Sequence, residues 1–186
     1  MKGDKEQLIC DKLVDMMEET SFLDIKVKDF VEYAGISRST FYLYFGSLYD
    51  VLQEIEDAFM SGMFTEDETA EMVKGRQLEA LDTHFIIKVE YIERNKRLLR
   101  ILLSENGDPS FFARLVNRYK RIITKVWSDN QLVSSGQIDL LAEYVSGGQI
   151  QALKWWVSHD TGVDLCDMML TLERYLIALF NATDAA

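Results

Sequence analysis

A chain of 186 residues, 48% of them apolar, can bury one good-sized core or two smaller ones that share helices, without covalent help. Its two cysteines, Cys10 and Cys166, lie far apart without CxxC or metal-ligand spacing, so no disulfide framework is implied and both read as reduced thiols. The net charge of −11 excludes reliance on long-range attraction to a polyanion, so any nucleic-acid binding has to come from a local surface of cations and hydroxyls.

Apolar residues recur at three-and-four spacing and proline occurs once, which predicts an all-α protein of nine or so helices. The first covers about residues 5 to 20, with Leu8, Ile9, Leu13, Met16 and Met17 in one stripe. After a break at "TSFLDI", "KVKDFVEYA" forms two turns with Val27, Phe30, Val31 and Ala34 inward, stopped by Gly35. Ser37 stands where an N-cap is wanted for "RSTFYLY", and Ser47 caps a longer helix that ends near Gly62. The polar stretch "TEDETAEMVKGRQ" reads as a hinge. Helices at about 78–94, 96–105, 110–128, 138–158 and 164–181 complete the chain, broken at "ENGDPS", where Gly107 and Pro109 both oppose a helix, and at "SDNQLVSSGQ". The expected division is a three-helix unit over residues 1–50 and a larger helical unit over 51–186. "RLLRILLSE" and "IALFNA" are too short to cross a bilayer and "MKGDKEQLICDK" is no signal peptide, so the expectation is a cytoplasmic protein without membrane contact.

The chemistry concentrates in residues 27–45. Two short helices joined by a tight turn containing glycine suit a helix-turn-helix, whose second helix enters the DNA major groove. At about 100° per residue, Phe41 and Phe45 fall within about 40° of one another and can bury together against Ile36 and Phe30. Arg38, Ser39, Thr40, Tyr42, Leu43 and Tyr44 are left facing outward. Arg38 suits a guanine edge or a phosphate, Ser39 and Thr40 suit either, Leu43 suits a thymine methyl, and the tyrosines can donate to phosphate oxygens. From spacing alone a second reading stays open, in which Tyr42 and Tyr44 only cap the local core.

"VKDFVEYAGISRSTFYLYFGSLYDVL" resembles the DNA-binding region of the TetR family of transcriptional regulators, roughly V-x-D-I-A-x-x-A-G-V-S-x-x-T-F-Y-x-Y-F-x-S-K-x-x-L, a likeness covering about residues 8 to 60. "LLSENGDPSFFARL" and "YVSGGQIQALKWWV" resemble the C-terminal domain of part of that family, including regulators of dihydroxyacetone kinase operons. The resemblance implies an all-helical homodimer in which each subunit presents one recognition helix and a small-molecule effector in the C-terminal domain alters their spacing. Operator DNA would meet Lys28, Ser37, Arg38, Ser39, Thr40, Tyr42, Leu43 and Tyr44. The sequence departs from the family at Leu48, commonly a phosphate-contacting lysine, at Gly46, often lysine, and at Lys26, often a threonine cap. Residues 1–60 carry six Lys or Arg against thirteen Asp or Glu, a balance of −7, so shallow salt dependence is expected.

In the second unit, Ile138, Leu141, Val145, Gly148, Ala152 and Trp156 form one stripe and Leu165, Met168, Met169, Leu172, Leu176 and Leu179 another. They suit a single-chain core or a dimer surface. The mid-helix Gly147 and Gly148 lower helix stability, and the resemblance implies that the last two helices pair with those of a second copy. Candidates for lining an apolar effector pocket are Phe85, Tyr91, Trp127, Tyr144 and Trp155, with His84 as a polar orienter, although rings at helical spacing are more often core and a lone histidine more often structural. "RNKRLLR" and "RLVNRYKRIITK" read as solvated helix faces balancing nearby acids rather than as a nucleic-acid patch. No metal-ligand spacing, glycine-rich phosphate loop or activated nucleophile appears, so no enzyme activity, metal or cofactor is expected. The expected function is a ligand-responsive dimeric repressor; the alternative is a partner-binding helical module, such as a co-activator, with weakened DNA binding.

Overall fold

The computed structural model describes residues 3–64, 83–129, 136–160 and 162–183. Among them stand nine α-helices and no strand, which is the expected all-α architecture: α1 (Asp4–Met17), α2 (Val27–Tyr33), α3 (Arg38–Tyr44), α4 (Leu48–Met63), α5 (Thr83–Arg94), α6 (Lys96–Leu102), α7 (Phe111–Asp129), α8 (Ile138–Ser158) and α9 (Leu165–Thr183). A 3-10 turn, Phe22–Asp24, leads into α2. The expected hinge at residues 65–77 lies outside the described residues.

The chain divides into two units, Met1–Gly62 with Arg97–Phe111, and Met63–Lys96 with Phe112–Ala186. In the first, α1 buries Ile9, Leu13 and Met17 of the stripe read from the sequence, and Cys10 beside them. Phe30 and Phe41 meet at 5.8 Å and 69°, which joins α2 to α3 through an edge-to-face pair. Helix α4 adds Leu48, Val51, Leu52, Ile55 and Phe59, and Phe59 packs edge-on against Phe111.

The surprise is how firmly residues 97–111 join this unit. Asn106 closes the end of α1: its Nδ2 donates to the carbonyls of Met17 at 3.0 Å and Glu18 at 3.2 Å, while its own carbonyl accepts from Phe22 N at 2.8 Å. These bonds satisfy carbonyls that a helix C-terminus leaves open. Arg97 reaches the same end of α1, donating through Nε to Glu18 at 2.7 Å and through Nη2 to Asp15 at 2.8 Å. Its hydrogen bonds hold both carboxyls below their ordinary range. Leu99, Ile101, Leu102 and Leu103 are buried, and a Cβ at Gly107 would lie 2.4 Å from the Leu102 carbonyl oxygen, so the "ENGDPS" turn demands glycine there. Asp108 then accepts from Ser110 N and Oγ, both at 2.8 Å, at the entrance to α7.

In the second unit α9 packs on α5 and α8. Tyr119 of α7 stacks on Phe64 and donates its hydroxyl to Gln149 of α8. Trp156 is fixed from two directions, with Lys96 Nζ 4.0 Å from its ring centroid and its Nε1 donating to the Val163 carbonyl at 2.9 Å. Consecutive residues thus grip different units: Lys96 holds Trp156 and Arg97 holds α1. The basic stretches behave as helix faces that meet acids, with Arg94 on Glu90 and Lys120 on Glu143.

Candidate nucleic-acid interface

Helix α2 ends in a two-bond glycine cap. Gly35 adopts φ +66°, its N–H donates to the Glu32 carbonyl at 3.2 Å, and Ile36 N donates to the Val31 carbonyl at 3.0 Å. A left-handed residue at this place is the normal use of glycine, and the paired bonds reverse the chain within two residues. Ser37 follows in extended geometry and its Oγ accepts from Thr40 N at 3.0 Å, capping α3. The same oxygen lies 2.8 Å from both Ser39 Oγ and Thr40 Oγ1, so three hydroxyls gather at the start of α3. The next helix begins the same way, with Ser47 Oγ accepting from Asp50 N at 3.2 Å.

These caps fix which side of α3 is inward. Phe41 is fully buried and Phe45 half-buried beside it. Leu43 is 76% exposed, Tyr42 56% and Tyr44 37%, and Lys28, Ser37, Arg38 and Ser39 are exposed with Thr40 half-buried. Tyr42 lays its ring edge-on against Phe41 at 5.3 Å, so the ring covers core while more than half of the side chain stays open. The structure therefore brings the eight residues expected at DNA onto two adjacent short elements and their connecting turn. Leu48, where the family commonly has lysine, turns into the core, and Lys26, the residue before α2, makes no side-chain cap bond.

The other expected sites distribute differently. Trp127 is buried and Phe85 and Tyr91 are half-buried, with burial pushing the Tyr91 phenol above its usual value. Tyr144 and Trp155 instead stand outward on α8, 71% and 45% exposed, and the His84 side chain lies outside the described residues. Of the stripe expected at a dimer surface, Val145 and Trp156 are buried in their own unit, Leu141, Ala152, Met169, Leu172 and Leu176 are half-buried, and Gly148 is exposed. The separation follows helix phase: residues eleven apart, such as 144 and 155 or 145 and 156, share a face, and the two faces are about 100° apart. The "SGGQ" and "KWW" signals could not distinguish them. Composition gave no sign that Arg97 and Asn106 belong to the first unit, because both owe their role to contacts some eighty residues away in sequence.

A helix ended by a left-handed glycine, a serine-capped second helix and an outward row of hydroxyl, guanidinium and ring groups define a helix-turn-helix protein with an added helical domain. Residues 79–178 match a TetR-type family model described as the transcriptional regulator C-terminal region. The chain belongs to the TetR family of transcriptional regulators. Among solved structures it is similar to a TetR transcriptional regulator from Streptococcus agalactiae, with 20% identity, a TM-score of 0.68, and coverage of 95% of this chain and 93% of that one. It is also similar to the dihydroxyacetone kinase operon activator DhaS, with 16% identity, a TM-score of 0.66, and coverage of 96% and 97%. No curated protein sequence matches the chain.

Proposed function

We propose that this regulator binds operator DNA as a homodimer and represses transcription until a small molecule, bound in its second unit, releases it. The observation that carries the DNA-binding half is the outward side of α3, where Arg38, Ser39, Tyr42, Leu43 and Tyr44 stay open while Phe41 alone supplies the fully buried anchor. Those groups suit base edges and phosphates at major-groove range. Dimerisation is supported by surface that one chain leaves uncovered. Beyond Leu165 none of the described α9 side chains is buried, although the helix is rich in Leu and Met. On α8, Leu140, Tyr144 and Trp155 stand out together, and a Cβ at Gly147 or Gly148 would meet nothing within 4 Å. Leu141 and Ala152 on α8 and Met169, Leu172 and Leu176 on α9 are only half-buried and Gly148 is exposed, which suits a second copy approaching closely. Phe85, Tyr91 and Trp127, with His84 next to Phe85 in sequence, are the residues proposed to meet the effector. A ligand that favours the conformer with misplaced recognition helices lowers operator affinity by population shift.

A second reading, transcription activation through a protein partner, is favoured by the −7 balance of residues 1–60 and by the activator named among the structural relatives. Titration of the purified protein onto the DNA upstream of its own coding sequence, at two salt concentrations, separates the readings. Saturable, sequence-dependent binding is expected; absence of binding even at low salt would leave the partner-binding reading standing.

A further inference from the structure

We propose that Tyr49, in the first turn of α4, is a further DNA-positioning residue whose hydroxyl donates to a backbone phosphate; the inference rests on the operator-binding reading above. The family carries its phosphate-contacting lysine one residue earlier, and here that position is Leu48, buried in the core. Tyr49 is what the same turn turns outward, 52% exposed. Its ring is held edge-on against Phe22 at 5.2 Å and 79°, and its hydroxyl makes no hydrogen bond with any described residue. Covering Phe22 needs only a ring, which phenylalanine would supply, so the hydroxyl is left over from packing.

Its position suits the backbone rather than the bases. Helix α3 has seven residues, about 10 Å of rise, against a major groove about 12 Å wide, so groups just beyond the end of α3 meet the phosphate wall. The α3–α4 connection is short and Asp50 folds back over it: a Cβ at Gly46 would lie 2.9 Å from Asp50 Oδ2. That carboxylate repels a phosphate, whereas the neutral Tyr49 hydroxyl does not, and its ring, already held on Phe22, needs little further ordering. A phenol also displaces no counterion, so the contact adds affinity without adding salt dependence.

The test is Tyr49→Phe, measured on the DNA upstream of the coding sequence and on a scrambled duplex, across a salt series. The expected result is about three- to ten-fold weaker binding on both duplexes, an unchanged melting temperature and an unchanged salt slope. Tyr49→Lys should steepen the slope by about one. If the unaltered protein binds and Tyr49→Phe binds equally well, the assignment is overturned alone. A melting temperature lowered by Tyr49→Phe also overturns it, by making the hydroxyl structural. No binding by the unaltered protein overturns the operator reading and this assignment together.

Discussion

Replacing Asn106 by alanine tests whether residues 97–111 really are part of the first unit. The change removes two donated hydrogen bonds, to the Met17 and Glu18 carbonyls, and leaves the backbone bond from Phe22 N in place. A typical net contribution is about 0.5–1.5 kcal/mol per bond. The Met17 bond is part-buried and belongs in the middle of that range, whereas the Glu18 bond is exposed and water replaces it readily. The expected loss is therefore about 1–2 kcal/mol, or about 2–8 °C in Tm for a chain of this length. Asn106→Asp should cost more, because a carboxylate sets an acceptor against two carbonyl acceptors, and it should recover partly as the acid protonates. Urea denaturation and amide exchange at the end of α1 read both effects. Asn106→Ala within about 0.3 kcal/mol of the parent, or an aspartate variant as stable as the parent at neutral pH, would refute the capping role.

Arg97→Gln removes both ion pairs to α1, but Arg97 is half-exposed, so its effect belongs mainly in the pH profile rather than in a large loss at neutral pH. Asp15 and Glu18 are held below their ordinary pKa by hydrogen bonds from Arg97, so their contribution is complete above the ordinary carboxylate range and is lost as pH falls through their lowered native values. The variant should lose less stability between about pH 5 and pH 2 than the parent; superimposable acid limbs would contradict this. Gly148→Leu meets open space within its own chain, so the fold should survive, while a dimer built on that face of α8 should dissociate in sedimentation equilibrium. Retention of a dimer would move the interface elsewhere.

Local signals were the legible part of this fold. Gly35, Ser37 and Ser47 announce their turn and caps because each acts on backbone groups within four residues, and the structure forms those bonds. The split of the rings at Phe41 and Tyr42 was legible for the same reason, since one residue's rotation moves a side chain about 100°. Long-range partnership was not legible. Nothing in "RNKRLLR" says that Arg97 meets Asp15, and "ENGDPS" reads as a breaker without revealing that its asparagine closes a helix at residue 17. The faces of α8 were blurred by composition: apolar residues occupy positions all round it, so only burial separates Trp156, inside, from Trp155, outside.

The same distinction resolves the acidity of the first unit. Net charge sums over a surface, whereas recognition depends on what lies within a screening length, about 8 Å at physiological salt. Lys12 is occupied by Asp15 and the Tyr33 ring, and Arg97 neutralises Asp15 and Glu18 at the end of α1. Lys26, Lys28 and Arg38, all on or beside the helix-turn-helix, make no ion pair with a described residue. Yet Asp29 and Glu32 are exposed on the same α2, so the local field is mixed rather than positive. On the proposed operator-binding reading, a surface of that kind gains little from counterion release and relies on short, directional bonds from Arg38, Ser39, Thr40 and the tyrosine hydroxyls. Binding through such groups is sensitive to which bases and phosphates they meet, and weak everywhere else. On that reading the absence of lysine at positions 46 and 48 would bear on discrimination as much as on strength, since fewer cations lower the affinity for random DNA without removing directional contacts.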